Sequence, residues 1–124
     1  VNLKPACTLM LRLISGCSQL NIDTEVHKPM EERKCTLCPA DVVEDLFHLV
    51  MQCEHYADLR QGMLDKIKLG VTYQSWCHIE TLPPRILYYI LIGMCYPVPY
   101  GDLWIMRTIS CQSIRKIYMR RINL

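Results

Sequence analysis

Apolar side chains recur at three- and four-residue intervals in several stretches of this chain, a spacing that predicts amphipathic α-helices. The first stretch covers residues 3–14 and is followed by Ser15-Gly16, which favours a helix end. The second covers residues 54–69, with Gly70 at the position that commonly closes a helix. Both stretches are therefore predicted to pack one face against a core.

Two further helices are predicted in the C-terminal half. Pro83-Pro84 favours the start of a largely buried helix from residue 85 to about residue 94, which Pro97 and Pro99 would close. Asp102 can cap a last helix. The inward face of that helix would carry Leu103, Met106, Ile109, Ile114 and Ile117.

The remaining stretches have weaker patterns. The pattern predicts an exposed connection for residues 17–34, with a brief extended piece at residues 20–22. For residues 71–76 it predicts a short strand or a loop. Asp41 can cap a helix over residues 41–52, with Glu44 completing a capping box.

We therefore predict a mostly α-helical domain of four to five helices. Its parts would be an N-terminal helix and connecting loop (1–34), a central segment (35–70) and a C-terminal helical part (71–124) within the same compact domain.

Composition narrows the class of protein. The chain has 124 residues, of which 51% are hydrophobic and 21% charged, as in a globular domain rather than a disordered one. The longest apolar run, residues 86–95, is about half of the roughly 20 residues that span a bilayer. No membrane span or signal peptide is predicted, so we expect an intracellular protein, nuclear or cytoplasmic. The absent initiator Met suggests a piece of a longer chain.

One group of residues has the spacing of a metal site. Cys35 and Cys38 are separated by two residues, His48 follows after nine more, and Cys53 after a further four. A two-residue spacer lets one turn present two thiolates to the same ion, and zinc prefers four such sulfur and nitrogen ligands in a tetrahedron. The pattern predicts one structural Zn²⁺ with a closed coordination shell. His55 is an alternative ligand to His48.

Other interpretations of these cysteines remain open. The thiols could be ordinary buried side chains, and eight cysteines in all could form disulfides, although long helical patterns are atypical of a disulfide scaffold. A redox role for Cys35 would need a strand-helix-strand pattern that the sequence lacks. Cys77-His78 is a weak catalytic pair because adjacent side chains point in different directions. We therefore predict no enzymatic activity and no small-molecule substrate for these residues.

The cysteine-histidine block resembles the zinc-binding CCHC segment near the C-terminus of reverse transcriptases of non-LTR (LINE/jockey-like) retrotransposons. The likeness covers about residues 9–68. It comprises Arg33-Lys34-Cys35-Thr36-Leu37-Cys38, Val43-Glu44-Asp45, His48, Cys53, Tyr56 and Arg60, with Arg12 to Gly16 and Leu20-Asn21-Ile22 upstream. The chain departs from the family pattern at Glu54, where Pro is usual, and at Leu49, where an aromatic residue is frequent. Neither departure removes a ligand.

This resemblance implies a zinc finger that follows a polymerase and assists its engagement of RNA or DNA, with the rest of the reverse transcriptase as a further partner. It does not extend to the polymerase, because the chain contains neither the paired aspartates of a polymerase nor an endonuclease constellation. The alternative function is a zinc-stapled protein-interaction module without a nucleic-acid role.

Charge distribution indicates where nucleic acid would bind. Residues 35–70 carry three basic and six acidic side chains, whereas residues 71–124 carry six basic and two acidic ones. Phosphate contacts would therefore come from the last helix. The candidate residues are Arg107, Arg115, Lys116, Tyr118, Arg120 and Arg121. A solvated helix face, with cations at the negative end of the helix dipole, would account for the same pattern.

A cluster of aromatic residues precedes and enters the last helix. Their apolar neighbours favour a core or interface role over base stacking. The cluster comprises Tyr88, Tyr89, Tyr96, Tyr100 and Trp104. The apolar residues 86–94 could dock a missing parent domain. Arg60 is predicted to pair with Glu54 or Asp58.

Overall fold

Six α-helices dominate the part of the chain that the structure, a computed structural model, describes, namely residues 4–94 and 97–124. The prediction of a mostly α-helical fold is confirmed, with more helices than expected. The helices are α1 (Lys4–Ile14), α2 (Asn21–Thr24), α3 (Ala57–Gly70), α4 (Tyr73–Glu80), α5 (Pro84–Leu91) and α6 (Tyr100–Ile122).

The long helix α6 organises the core. It has 23 residues, and its buried face packs against α1, α3 and α5 and against the segment that precedes α3. Met106, Ile114 and Ile117 on this face are fully buried. Gly70 allows a close approach of α3, because a Cβ added there would lie 2.8 Å from the Ile105 side chain. Among the described residues, no helix is long and apolar enough to span a membrane.

Short turns, rather than long helices, form the segment that carries the predicted ligands. A 3₁₀ turn at Met30–Glu32 leads into an isolated antiparallel bridge between Lys34 and Val43. A π-helical turn at His48–Gln52 and a 3₁₀ turn at Glu54–Tyr56 then lead into α3. We refer to residues 34–43 as the metal loop.

The prediction of a helix over residues 41–52 is wrong in its first half. Asp41 has a φ of 56° and lies in the metal loop, and helical structure begins only at Leu46. Asp45 caps this turn instead, because its Oδ1 accepts a hydrogen bond from the main-chain N–H of His48 at 2.8 Å. Glu44 is fully buried and makes tertiary contacts rather than a capping box. The expected extended piece at residues 20–22 is also wrong, since helix α2 begins at residue 21.

Helix α4 replaces the strand or loop predicted for residues 71–76. Its N-cap is Thr72, whose hydroxyl accepts from the Ser75 N–H. Asp102 does not cap α6 but lies in its first turn, 5% exposed, where its Oδ2 accepts from the hydroxyls of Thr72 and Ser75. This carboxylate therefore ties the start of α6 to the start of α4.

The aromatic cluster is divided between core and surface. Tyr88 is buried and packs edge-on against Phe47 with ring centroids 5.3 Å apart. Tyr100 and Trp104, by contrast, are 78% and 58% exposed. The core prediction therefore holds for Tyr88, whereas Tyr96 lies outside the described residues.

Candidate metal centre

Four side chains of the central segment meet at one point. The Sγ atoms of Cys35, Cys38 and Cys53 and a ring nitrogen of His48 all lie within 4.8 Å of one another. The Sγ of Cys35 is 3.9 Å from that of Cys53 and 3.9 Å from that of Cys38, and Cys38 Sγ is 3.3 Å from His48 Nε2. Sulfur atoms about 2.3 Å from one tetrahedral ion are about 3.8 Å apart. The cluster therefore fits a single four-coordinate metal ion.

The metal loop presents the first two thiols. Main-chain bonds from Cys35 N to the Val42 carbonyl at 2.9 Å, and from Glu44 N to the Arg33 carbonyl at 3.0 Å, fold the loop back on itself. Inside this turn the Leu37 N–H donates to Cys35 Sγ at 3.4 Å. An amide aimed at a sulfur favours the charged thiolate, which is the form that binds a metal.

The π-helical turn directs the imidazole. His48 is 1% exposed, and its Nε2 faces Cys38 while its Nδ1 lies 3.3 Å from the Gln52 Oε1 atom. A carbonyl oxygen at this distance fixes the ring with its proton on Nδ1 and leaves Nε2 free as a ligand. Gln52 is not among the site residues predicted from the sequence, although its position four residues after His48 is a usable signal.

Arg60 holds the chain around the last thiol. Its Nη1 donates to the carbonyl oxygens of Val50 at 3.3 Å and Cys53 at 3.2 Å, rather than to the Glu54 or Asp58 carboxylates suggested by the sequence. Carbonyl groups at the end of a helical turn lack partners within it, so a cation from α3 is a suitable donor. Arg60 thereby fixes the main chain at Val50 and at Cys53, on either side of Gln52.

Burial makes the thiols of this centre hard to ionise without a metal. Desolvation raises the pKa of Cys53 to about 12 and also raises the pKa of Cys35. Both groups are therefore neutral thiols at pH 7 in the metal-free chain. A metal ion that binds here must displace their protons.

A buried ion pair joins the end of the metal loop to the end of α6. Glu44 is fully buried, and its carboxylate accepts from Arg121 Nε at 2.7 Å and Nη2 at 2.8 Å. The main-chain N–H of Asn21 donates to the same carboxylate, and the Asn21 amide donates to the Lys34 carbonyl at 2.7 Å. The metal loop, α2 and α6 thus share one hydrogen-bonded network.

The other sequence candidates lie apart from the cluster. His55 is exposed and packs its ring edge-on against Tyr56, with centroids 4.8 Å apart, and it is absent from the four-residue cluster. The described cysteines are all free thiols, whereas Cys95 lies outside the described residues. Cys77 and His78 lie on α4 and are not part of the cluster.

The six residues predicted to bind nucleic acid have different environments. Arg115, Lys116 and Arg120 are exposed on α6. Arg107 instead donates to the carbonyl oxygens of Gly93 at 2.8 Å and Met94 at 3.2 Å.

The side chains of Tyr118 and Arg121 make hydrogen bonds within the protein. Tyr118 is 5% exposed, and its hydroxyl accepts from the Gln19 N–H at 2.9 Å. Arg121 is paired with Glu44. A buried ring offers no face for stacking, and a paired guanidinium is poorly placed for phosphate. The nucleic-acid surface proposed below therefore omits Arg107, Tyr118 and Arg121.

A groove between α1 and α6 adds a cation that the sequence analysis did not select. Arg12 of α1 and Arg115 of α6 line this groove together with Pro5, Thr8, Leu9 and Met119. Its volume is about 420 Å³. Because the two arginines are 103 positions apart in the sequence, no local pattern could have paired them.

Comparison with protein-family models, with curated proteins and with solved structures found no match to this chain. The metal centre and the groove are therefore interpreted from their own chemistry.

Proposed function

We propose that the chain binds one zinc ion through Cys35, Cys38, His48 and Cys53, and that the zinc-stapled helical unit binds RNA or DNA through a basic surface. The four-ligand cluster carries this proposal. Thiolate and imidazole donors in a tetrahedral arrangement select zinc over the oxygen-preferring ions Mg²⁺ and Ca²⁺. Four protein ligands leave no open position for an activated water, so the role of the ion is structural.

The proposed nucleic-acid surface consists of Arg12, Arg115, Lys116 and Arg120. Its support is the pairing of Arg12 with Arg115 across one groove, together with the exposed cations of α6. Guanidinium groups on both walls of a groove suit a phosphate backbone that runs between them. Because the cysteine-histidine block resembles the CCHC segment of non-LTR retrotransposon reverse transcriptases, we propose that the chain is an accessory region, or a remnant, of a retrotransposon-type reverse transcriptase.

Salt dependence of binding tests the nucleic-acid part. We expect affinity for single-stranded RNA or DNA to fall steeply with salt, with a log-log slope of about 0.7 per phosphate contact. The double variant Arg115→Ala/Arg120→Ala should lower both the affinity and the slope. Fluorescence anisotropy with labelled oligonucleotides at several salt concentrations measures both.

The matched control is Lys28→Ala/Lys68→Ala. These lysines are exposed and lie outside the metal loop and outside α6, so their loss changes the net charge by the same two units while leaving both intact. Equal losses of affinity in the two double variants would mean that binding depends on net charge alone. A flat salt response in the wild type would reject nucleic-acid binding.

A second candidate function is protein interaction at the end where α3, α4 and α6 meet. Thr72 hydrogen-bonds to Asp102 there, which brings the start of α4 to the start of α6. Leu69 and Tyr73, which lie close to Thr72 in sequence, are 87% and 80% exposed. Large exposed apolar side chains of this kind favour a protein partner. If the zinc-loaded chain shows no salt-dependent affinity for RNA or DNA, this result would support protein interaction as the function.

A further inference from the structure

The groove between α1 and α6 combines an apolar floor with a charged rim. Leu9 of α1 and Met119 of α6 line it as half-buried side chains that also pack against the core. We call these two side chains the floor of the groove. Arg12 and Arg115 line it as exposed side chains, one from each helix. A ligand in this groove would therefore meet an apolar surface between two cations.

The charges around the groove have one sign. Among the described residues, neither the Arg12 nor the Arg115 guanidinium has an ion-pair or hydrogen-bond partner. Helix α1 contains no acidic residue, and α6 contains only Asp102. That carboxylate lies about 20 Å before Arg115 along the helix axis and already accepts hydrogen bonds from Thr72 and Ser75. The groove therefore attracts an anion that the described part of the chain does not supply.

The combination of cations and apolar floor favours a nucleotide over a simple anion. A free phosphate would satisfy the arginines, but it would lose its water against a floor that offers it no hydrogen bond. A nucleotide has phosphates that arginine binds and a base whose face packs on aliphatic side chains and guanidinium planes. The volume of the groove, about 420 Å³, lies in the range of about 300–1,000 Å³ that is typical of pockets for small organic ligands.

A base reaches the floor only when it is unpaired. In a duplex the bases are stacked and paired inside the helix, so a groove between two protein helices meets the phosphates alone. In a single strand the base can turn out of the stack and enter the groove while its phosphates stay at the rim.

We propose that this groove holds one unpaired nucleotide of a single strand, with the base on Leu9 and Met119 and the flanking phosphates on Arg12 and Arg115. The chain therefore prefers single-stranded to double-stranded nucleic acid. The inference rests on the nucleic-acid binding proposed above and adds to it the class of substrate and the two residues that contact the base.

Electrostatic attraction alone predicts a different preference. A duplex carries about one charge per 1.7 Å of its axis, about twice the density of one strand, so a surface that contacts only phosphates binds it at least as well. We expect instead that a single strand binds about tenfold more tightly than the same strand annealed to its complement. Fluorescence anisotropy at constant salt measures both affinities. RNA and DNA versions of one sequence identify the sugar that is preferred, and the single-strand preference in either supports the proposal.

Met119→Ala is the test variant, since it shortens the floor without a change in charge. We expect its affinity for the single strand to fall by about fivefold, because less apolar surface contacts the base. Its affinity for the duplex and the salt slope of binding should match the wild type, because the phosphate contacts remain.

Ile122→Ala is the matched control. Ile122 also lies on α6 and packs half-buried against the core, but it is not among the residues that line the groove. We expect this variant to bind single strands and duplexes as the wild type does. Urea unfolding of both variants measures how far each substitution weakens the packing of α6.

A fluorescent base gives a readout that needs no variant. The base analogue 2-aminopurine is quenched when it stacks on other bases, and none of the six described residues that line the groove is aromatic. Binding of the wild-type chain to a single strand that contains 2-aminopurine should therefore raise its fluorescence. The rise should be smaller with Met119→Ala and unchanged with Ile122→Ala. If Met119→Ala does not fold, the wild-type fluorescence decides the question.

The outcomes separate this inference from the proposed function. A wild type without salt-dependent binding of either form would overturn nucleic-acid binding and this inference with it. Salt-dependent binding that is as tight for the duplex as for the single strand would overturn only the unpaired nucleotide. A single-strand preference without a rise in 2-aminopurine fluorescence would also overturn it, as would full single-strand affinity in a folded Met119→Ala variant.

Discussion

Arg121, in the last turn of α6, donates two hydrogen bonds of 2.7 and 2.8 Å to the carboxylate of Glu44. Glu44 is the residue that follows the metal loop. The Glu44 side chain is fully buried, and that of Arg121 is 17% exposed. Hydrogen bonding to the carboxylate raises the pKa of Arg121. The pair connects positions 77 residues apart, so it holds the metal loop against the far end of the chain.

Removing one partner of this pair should be costly. Arg121→Met leaves the Glu44 carboxylate buried without its cation, and we expect the free energy of unfolding to fall by about 3–5 kcal/mol. The double variant Glu44→Leu/Arg121→Met should recover much of that loss, because no uncompensated charge remains. Urea unfolding at pH 7 measures both. Arg120→Met, one position away and exposed, should change stability by less than about 0.5 kcal/mol.

The stoichiometry of metal binding tests the ligand set. We expect one zinc per chain and its loss in Cys38→Ser, with a lower thermal midpoint because zinc binds only the folded chain. Cys17→Ser changes an exposed thiol outside the cluster and should retain the ion. Elemental analysis of protein purified without chelator measures the content. Zinc retained in Cys38→Ser would contradict the four-ligand site.

Gln52 should affect the metal through the orientation of His48. Gln52→Ala removes the oxygen that lies 3.3 Å from His48 Nδ1, and we expect zinc affinity to fall by about 10- to 100-fold. The stability of the metal-free chain should change little because Gln52 is exposed. Gln61→Ala is the control, since it removes an exposed glutamine whose amide donates to Asp65. Chelator competition that gave equal affinities for the two variants would exclude this role for Gln52.

Asp102 should contribute to stability in a pH-dependent way. Hydrogen bonds from Ser75 and Thr72 lower its pKa below the ordinary value of 3.8. A carboxylate whose pKa is lowered by folding stabilises the protein above its unfolded pKa, and that stabilisation is lost as the pH falls toward the folded pKa. Asp102→Asn should therefore lower the free energy of unfolding at pH 7 by about 1–2 kcal/mol.

The same variant should differ progressively less from the wild type as the pH falls below about 3.8. Chemical unfolding measured from pH 7 to pH 3 gives this profile. Asp65→Asn alters an exposed aspartate and should track the wild type across the whole range. A constant difference between Asp102→Asn and the wild type at every pH would mean that the carboxylate charge plays no part.

Local patterns along the chain were sufficient for α1, α3, α5 and α6. Helical periodicity and helix-ending residues act over three or four positions, so they are visible in the sequence. The spacing of Cys35, Cys38, His48 and Cys53 likewise indicated a common site, because a tight turn and one helical turn limit how far these side chains can separate. The four atoms indeed lie within 4.8 Å of one another.

Other features depended on contacts between distant segments. Asp102 and Glu44 each look like helix caps in sequence, yet one hydrogen-bonds to α4 and the other to α6. Tyr118 and Arg121 look like exposed members of a basic helix until the fold supplies Gln19 and Glu44 as partners.

The amino-acid sequence alone thus determined the helical class, the principal helices and the spacing of four candidate ligands. Only the tertiary structure decided which charges are paired, which aromatic rings are buried and which cations share a groove. The physical reason is range: helix propensity and ligand spacing are set by neighbours along the chain, whereas burial and the partner of a charge are set by segments that meet only when the core forms.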